Sequence, residues 1–290
     1  MLLQQIINGL TVGSTYGLVA LGYTLIYGVL GLINFAHGEI YMIGAFMGFT
    51  TLALANLPFW FSIALSVLGA ATTGFFVERI AYRPIRKATK SAQLISALGM
   101  SIVLRNLAML AWGSKTLPFP RVLANDALDI AGARFSVLQA VIPLCAVALM
   151  FALNGYIGHT RMGISVRAVS LDPEMASMMG IESNRVIGAV FILGSALGGI
   201  AGMLVAMFYA SISFDMGVIV GIKSFIAAIL GGIGSIHGAM IGGLILGLAE
   251  SFAAAYISPA YKDALAFVLL LLVLLFKPSG ILGVSSEKGG

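Results

Sequence analysis

Residues 1–38 read MLLQQIINGLTVGSTYGLVALGYTLIYGVLGLINFAHG, without a single Lys, Arg, Asp or Glu; the first formal charge is Glu39. A soluble fold cannot cover so long an apolar run, whereas a bilayer core takes up about 20 such residues as one helix. The rest of the chain follows the same pattern. Hydrophobic residues make up 60 % of it and charged residues 9 %, with a mean hydropathy of +1.04. That is too little charge to solvate the surface of a 290-residue soluble protein. The sequence therefore predicts an all-α polytopic membrane protein with about eight to nine transmembrane segments.

Met1-Leu2-Leu3-Gln4-Gln5 lacks the basic stretch of a cleavable leader, so the first segment is expected to stay as an anchor. Cys145 is the only cysteine, which leaves no disulfide framework and no metal-ligand spacing; no metal or cofactor is expected. The net charge of +5 sits mostly in short loops, where it sets orientation rather than marking a nucleic-acid surface.

Apolar runs fall at Ile6–Leu30, Ile40–Leu57, Phe59–Val77, Ala92–Trp112, Ser136–Ile157, Val186–Ile212, Ser224–Leu248 and Ala264–Phe276. Arg79, Arg83, Arg86, Lys87 and Lys90 put the loop after the third run in the cytoplasm, and Arg161, Arg167 and Arg185 do the same for residues 158–185. Between them, residues 113–135 balance Lys115, Arg121 and Arg134 against Asp126 and Asp129, which fits the opposite side. Lys277 places the tail inside, and the N-terminus is expected outside. The glycines at 231, 232, 234 and 238 weaken any continuous helix there, so a broken or re-entrant element is expected.

An internal repeat is also expected. Shifting the chain by 200 positions brings Gly17, Ile26, Leu30 and Gly31 onto Gly217, Ile226, Leu230 and Gly231, and His37-Gly38 onto His237-Gly238. Paired Gly-interrupted segments of this kind point to a transport path at the repeat interface.

Polar groups in apolar context are the candidate path residues: Asn34, His37 and Glu39 after the first run, Arg105 within the fourth, and His237 and Glu250 in the repeat segment. Each also has a structural reading. Glu39 suits the start of a helix, and Arg105 suits a partner carboxylate or the interface. Asp215 and Lys223 are expected near the interface.

The loop residues Asp172-Pro173-Glu174-Met175-Ala176-Ser177-Met178-Met179-Gly180 spell out a short capped helix. Asp supplies the N-cap, Pro the first helical position and Gly the stop. Its outer side would present Met175, Met178 and Met179, adaptable apolar groups suited to a protein groove. No G-x-x-x-x-G-K-[ST] phosphate loop, H-E-x-x-H or G-x-S-x-G occurs, so the chain is expected to be no enzyme and to hydrolyse no ATP itself.

Asn34-Phe35-Ala36-His37-Gly38-Glu39 within Gly17–Gly44, the loop Gly163–Gly180, the run with Ala196, Gly199 and Gly202, the segment Gly231–Gly243 and the end Phe276-Lys277-Pro278-Ser279-Gly280-Ile281-Leu282-Gly283 together resemble bacterial branched-chain amino acid ABC transporter permeases of the LivH type. The resemblance runs over nearly the whole chain. It implies one transmembrane permease domain over residues 1–290 in the bacterial inner membrane. It also implies a second, LivM-like permease, two cytoplasmic ATP-binding subunits and a periplasmic binding protein as partners. Under it, residues 159–185 form the coupling loop, with Asp172, Pro173, Glu174, Ala176 and Gly180 as the positions carried over. The rival reading is an ion-coupled secondary transporter using Glu39 or Glu250.

Overall fold

The computed structural model describes residues 2–120, 122, 128–130 and 133–283. Arg121 and Asp126, invoked for the charge balance of the third loop, lie outside the described residues.

Eleven α-helices are found among the described residues. The first half holds α1 (Leu2–Leu30), α2 (His37–Phe49), α3 (Phe59–Val77), α4 (Lys90–Trp112) and α5 (Val137–His159). Two short helices follow, α6 (Arg161–Leu171) and α7 (Pro173–Met178). The second half holds α8 (Ser183–Tyr209), α9 (Met216–Gly231), α10 (Ile236–Tyr256) and α11 (Lys262–Phe276). Seven helical stretches are long and apolar enough to cross a membrane: Leu2–Leu30, Phe59–Ile85, Lys90–Trp112, Val137–His159, Ser183–Tyr209, Ile236–Tyr256 and Pro259–Phe276. Helix α2 runs on into a π-helical turn, Thr50–Leu54, and α9 is a shorter apolar helix of 16 residues. With these two, nine apolar helical segments run through the bundle among the described residues.

The run Ser224–Leu248 is broken, as expected, into the end of α9 and the start of α10. Gly232 (φ +107°) and Gly234 (φ +96°) adopt a backbone that a side chain would strain, and the chain breaks there. The Ser235 hydroxyl then accepts from Gly238 N (3.0 Å) and starts α10 afresh. Two other starts were encoded in the same way. Ser136 and Gln139 form a reciprocal capping box at α5, and the Thr89 hydroxyl caps α4.

Helix senses follow from the contacts of the glycines. Gly9, Gly13 and Gly17 of α1 meet Leu248, Gly243 and Met240 of α10 in descending order, so these helices are antiparallel. Gly44 and Gly48 of α2 climb Gly199 and Met203 of α8 in parallel, while Ala70 and Gly74 of α3 meet Gly199 and Ser195 in the opposite sense. Small residues let these backbones close up where lipid offers no hydrophobic drive between helices. From α7, four passes (α8 to α11) return the chain to the side it left. Ile281 N and Leu282 N there donate to Leu230 O and Gly231 O (2.9 Å each). The tail therefore shares the side of the Arg-rich loops, called the basic side below.

On the far side, the strand β1 (Leu117–Pro118) pairs antiparallel with Ser211–Ile212, clasping the loops after α4 and α8. A small hairpin, Leu128–Ile130 with Ala133–Phe135, meets the start of α1 through Arg134 N and Gln4 Oε1 (2.9 Å). Burial concentrates in α1, α2 and α8, whereas α4, α5 and α11 expose Leu110, Leu144 and Leu275, as helices facing lipid do.

The repeat takes shape as two helix–break–helix units, α1–α2 and α9–α10, with left-handed glycines, Gly31 and Gly232, at the breaks. Both units run the same way through the bundle.

Candidate transport path and coupling surface

Helix α2 does not start at the membrane surface. His37 packs onto Gly22, eight positions before α1 ends, and beside Gly194 of α8. The link between α1 and α2 therefore turns back into the bundle, and Asn34 shapes that turn. Its side-chain oxygen accepts from Ala36 N (3.1 Å) and from the Tyr82 hydroxyl (3.2 Å), and its carbonyl accepts from His37 N (3.0 Å). Tyr82 reaches the link from a π-helical turn, Glu78–Tyr82, at the end of α3. His37 is fully buried edge-on to Tyr23, with ring centroids 4.8 Å apart. Glu39 accepts from the Ser101 hydroxyl of α4 (3.1 Å), and its other oxygen lies against Gly217 of α9 without a partner. Arg105, one turn beyond Ser101, makes no salt bridge among the described residues, so the expected pairing is absent.

The second group differs from expectation. His237 is exposed on the first turn of α10, so the two matching histidines occupy unlike settings. Glu250 is buried and belongs to a cluster that sequence reasoning missed. Lys223, expected near the interface, is 7 % exposed. Its Nζ lies 2.8 Å from Glu250 Oε1 and 2.8 Å from Asp263 Oδ1, and the Tyr16 hydroxyl donates to Glu250 Oε2 (2.9 Å). These side chains come from α9, α10, α11 and α1. Tyr16, Lys223 and Glu250 line a cavity of about 370 Å³ together with far-side residues such as Thr116, Ser213 and Asp215.

On the basic side, Asp172 Oδ1 accepts from Glu174 N (2.8 Å) and Met175 N (3.0 Å), capping α7 as expected. The hydroxyls of Ser177 and Ser183 both donate to Pro173 O. Ala176 is the one buried residue of α7, and Gly180 (φ +84°) turns the chain out of it. Of the five positions carried over, Asp172, Pro173, Ala176 and Gly180 therefore shape the helix, and Glu174 alone points its charge outward. Met175, Met178 and Met179 are 61, 80 and 83 % exposed. A groove of about 1380 Å³ separates α7 from the turn carrying Arg79, Arg83 and Lys87. Arg86 braces its floor, donating to Asn184 Oδ1 (2.6 Å) and Glu78 Oε1 (2.5 Å). Burial lowers the pKa of the Arg86 guanidinium, and Glu78 opposes that shift.

A polytopic helical bundle with a cavity open on one face is the build of a membrane permease. The family model for branched-chain amino acid transport system / permease component matches residues 5–274. The chain is 45 % identical over 293 residues to the Salmonella typhimurium high-affinity branched-chain amino acid transport system permease protein LivH, covering 97 % of this chain and 95 % of that one. Identity and coverage are the same for BraD of Pseudomonas aeruginosa. The probable LivH of Methanocaldococcus jannaschii is 30 % identical, over 93 % of this chain and 89 % of its own. The chain belongs to this permease family and is a transport component, not an enzyme. Two solved structures share the fold. They are an inward-facing conformation of a putative metal-chelate type ABC transporter (TM-score 0.51, 16 % identity, 95 % of this chain and 87 % of that one) and PsaBC from Streptococcus pneumoniae in complex with Fab (0.50, 15 %, 94 % and 91 %).

Proposed function

We propose that this chain is one permease subunit of an ABC importer for branched-chain or closely related hydrophobic amino acids in a bacterial inner membrane. A second, LivM-like permease completes the path, two cytoplasmic ATP-binding subunits drive it, and a periplasmic binding protein delivers the substrate to the far side. The observation that carries the reading is α7. A capped helix with three bare methionines beside a basic groove gains nothing in isolation, since so short a helix is marginal without a partner. Docked in an ATPase groove, it moves when ATP closes the ATPases. Arg86, tied to both Glu78 and Asn184, passes that movement to the ends of α3 and α8. The two helix–break–helix units at the core then change which face of the path is open.

Affinity purification of the tagged chain from its native membrane, followed by native mass spectrometry, tests the assembly. The expected complex holds one copy of this chain, one second permease and two ATPases. A complex of this chain alone, active in transport, contradicts the proposal.

A further inference from the structure

Resting on that reading, we infer that the Lys223–Glu250 pair is a recognition site for the zwitterionic head of the transported amino acid, so that this permease itself selects what crosses it. An ion pair placed among apolar helices is costly unless it serves a function. The half-buried pair Arg86–Glu78 is accounted for as a brace between helices, with Asn184 as its third point. Lys223–Glu250 instead borders a cavity whose volume, about 370 Å³, falls within the range of small-molecule sites, about 300–1,000 Å³.

The chemistry of the walls matches one ligand class. At one end stand an ammonium and a carboxylate 2.8 Å apart, with the Tyr16 hydroxyl holding the second carboxylate oxygen. Apolar side chains, among them Val12, Val205, Ile212 and Val220, line part of the remainder, which also carries hydroxyls and the charged Asp215 and Lys262. A zwitterion can enter by exchange: its carboxylate takes the Lys223 ammonium while its ammonium takes Glu250. The net charge of the site is unchanged, and each ion keeps a counter-ion throughout. Asp263 holds Lys223 from its other side during the exchange. A lone anion on Lys223 would leave Glu250 buried without a counter-ion. An aliphatic side chain then lies along the apolar wall, while solutes lacking either charge lose half of the recognition.

The test uses the purified permease–ATPase complex without its binding protein, and equilibrium dialysis against radiolabelled leucine at up to millimolar concentration. Competitors are isocaproate, which lacks the amine, and isopentylamine, which lacks the carboxylate. Saturable leucine binding is expected, with neither competitor displacing it. Lys223→Met and Glu250→Gln should each weaken binding about ten-fold or more. The exchanged pair Lys223→Glu with Glu250→Lys, which keeps an ion pair but reverses its polarity, should weaken it as much. Tyr16→Phe keeps the ring and should weaken binding several-fold. If the charge variants do not assemble, Tyr16→Phe and the competitor panel on the unaltered complex still decide. No leucine binding by the unaltered complex, displacement by either single-charge analogue, or full affinity in the exchanged pair or in Tyr16→Phe overturns the inference. Failure of the complete transporter to take up leucine counts against the proposed function instead; uptake without binding in the isolated complex counts only against this site.

Discussion

Truncating Met175 and Met178 to alanine separates docking from folding. The two side chains sit three residues apart on α7, 61 and 80 % exposed, so in the free permease they hold almost nothing in place. Removing them should change its stability by no more than about 0.5 kcal/mol. In an ATPase groove, each would lose three buried heavy atoms, about 2 kcal/mol per side chain at about 0.8 kcal/mol per methylene-sized group. Because neighbours do not add fully, the pair should cost about 2–4 kcal/mol, or roughly 30- to 1,000-fold in ATPase affinity. The assay is titration of purified ATP-binding subunit onto the permease pair in nanodiscs, with thermal unfolding of the permease measured in parallel. Weakened docking with unchanged unfolding is the predicted outcome. Equal affinity in the variant would refute the assignment of α7 as the docking element, and a large drop in unfolding temperature would refute the claim that these side chains are free.

Asp172→Ala removes the acceptor for two backbone N–H groups and should cost α7 about 1 kcal/mol of local order, seen as a several-fold loss of ATPase docking that Asp172→Asn largely restores. Arg86→Ala leaves the Glu78 carboxylate buried without its cation and should destabilise the permease by about 3 kcal/mol; adding Glu78→Gln should recover part of this in thermal unfolding. A Cβ on Gly243 would sit 2.5 Å from Gly17 N, so Gly243→Ala should lower the unfolding temperature with a cost of about 1–3 kcal/mol. Gly28→Ala, on the same α1 face pair but with open space around it, should be neutral or slightly stabilising, by up to about 1 kcal/mol.

The passes were legible because a lipid solvent selects on composition alone, and capping chemistry is local. Thr89, Ser136, Ser235 and Asp172 each announce a helix start within three residues of themselves. The break after Gly231 was legible for the same reason, though its direction was not, since direction depends on Gly9, Gly13 and Gly17 meeting α10 more than 200 positions away. Depth was hidden too. Asn34 looks like an interfacial turn residue in sequence, and only the packing of His37 onto Gly22 shows that the turn lies inside the bundle. Lys223 was misplaced because a lysine at a helix edge ordinarily snorkels to water. Its two acids come from other helices, 27 and 40 positions on, and no local pattern joins them. Conversely, the His37/His237 match looked chemical and proved to reflect a shared break geometry, with one ring buried and the other exposed.

On the proposed function, this chain forms half of a path opened by ATP hydrolysed on other subunits. Radiolabelled leucine uptake into proteoliposomes holding both permeases and both ATPases, with binding protein on the far face, tests it most directly. Uptake should require ATP on the basic side, persist with a protonophore present and disappear when the ATPases are left out. Uptake driven by a proton gradient through the permeases alone would contradict it.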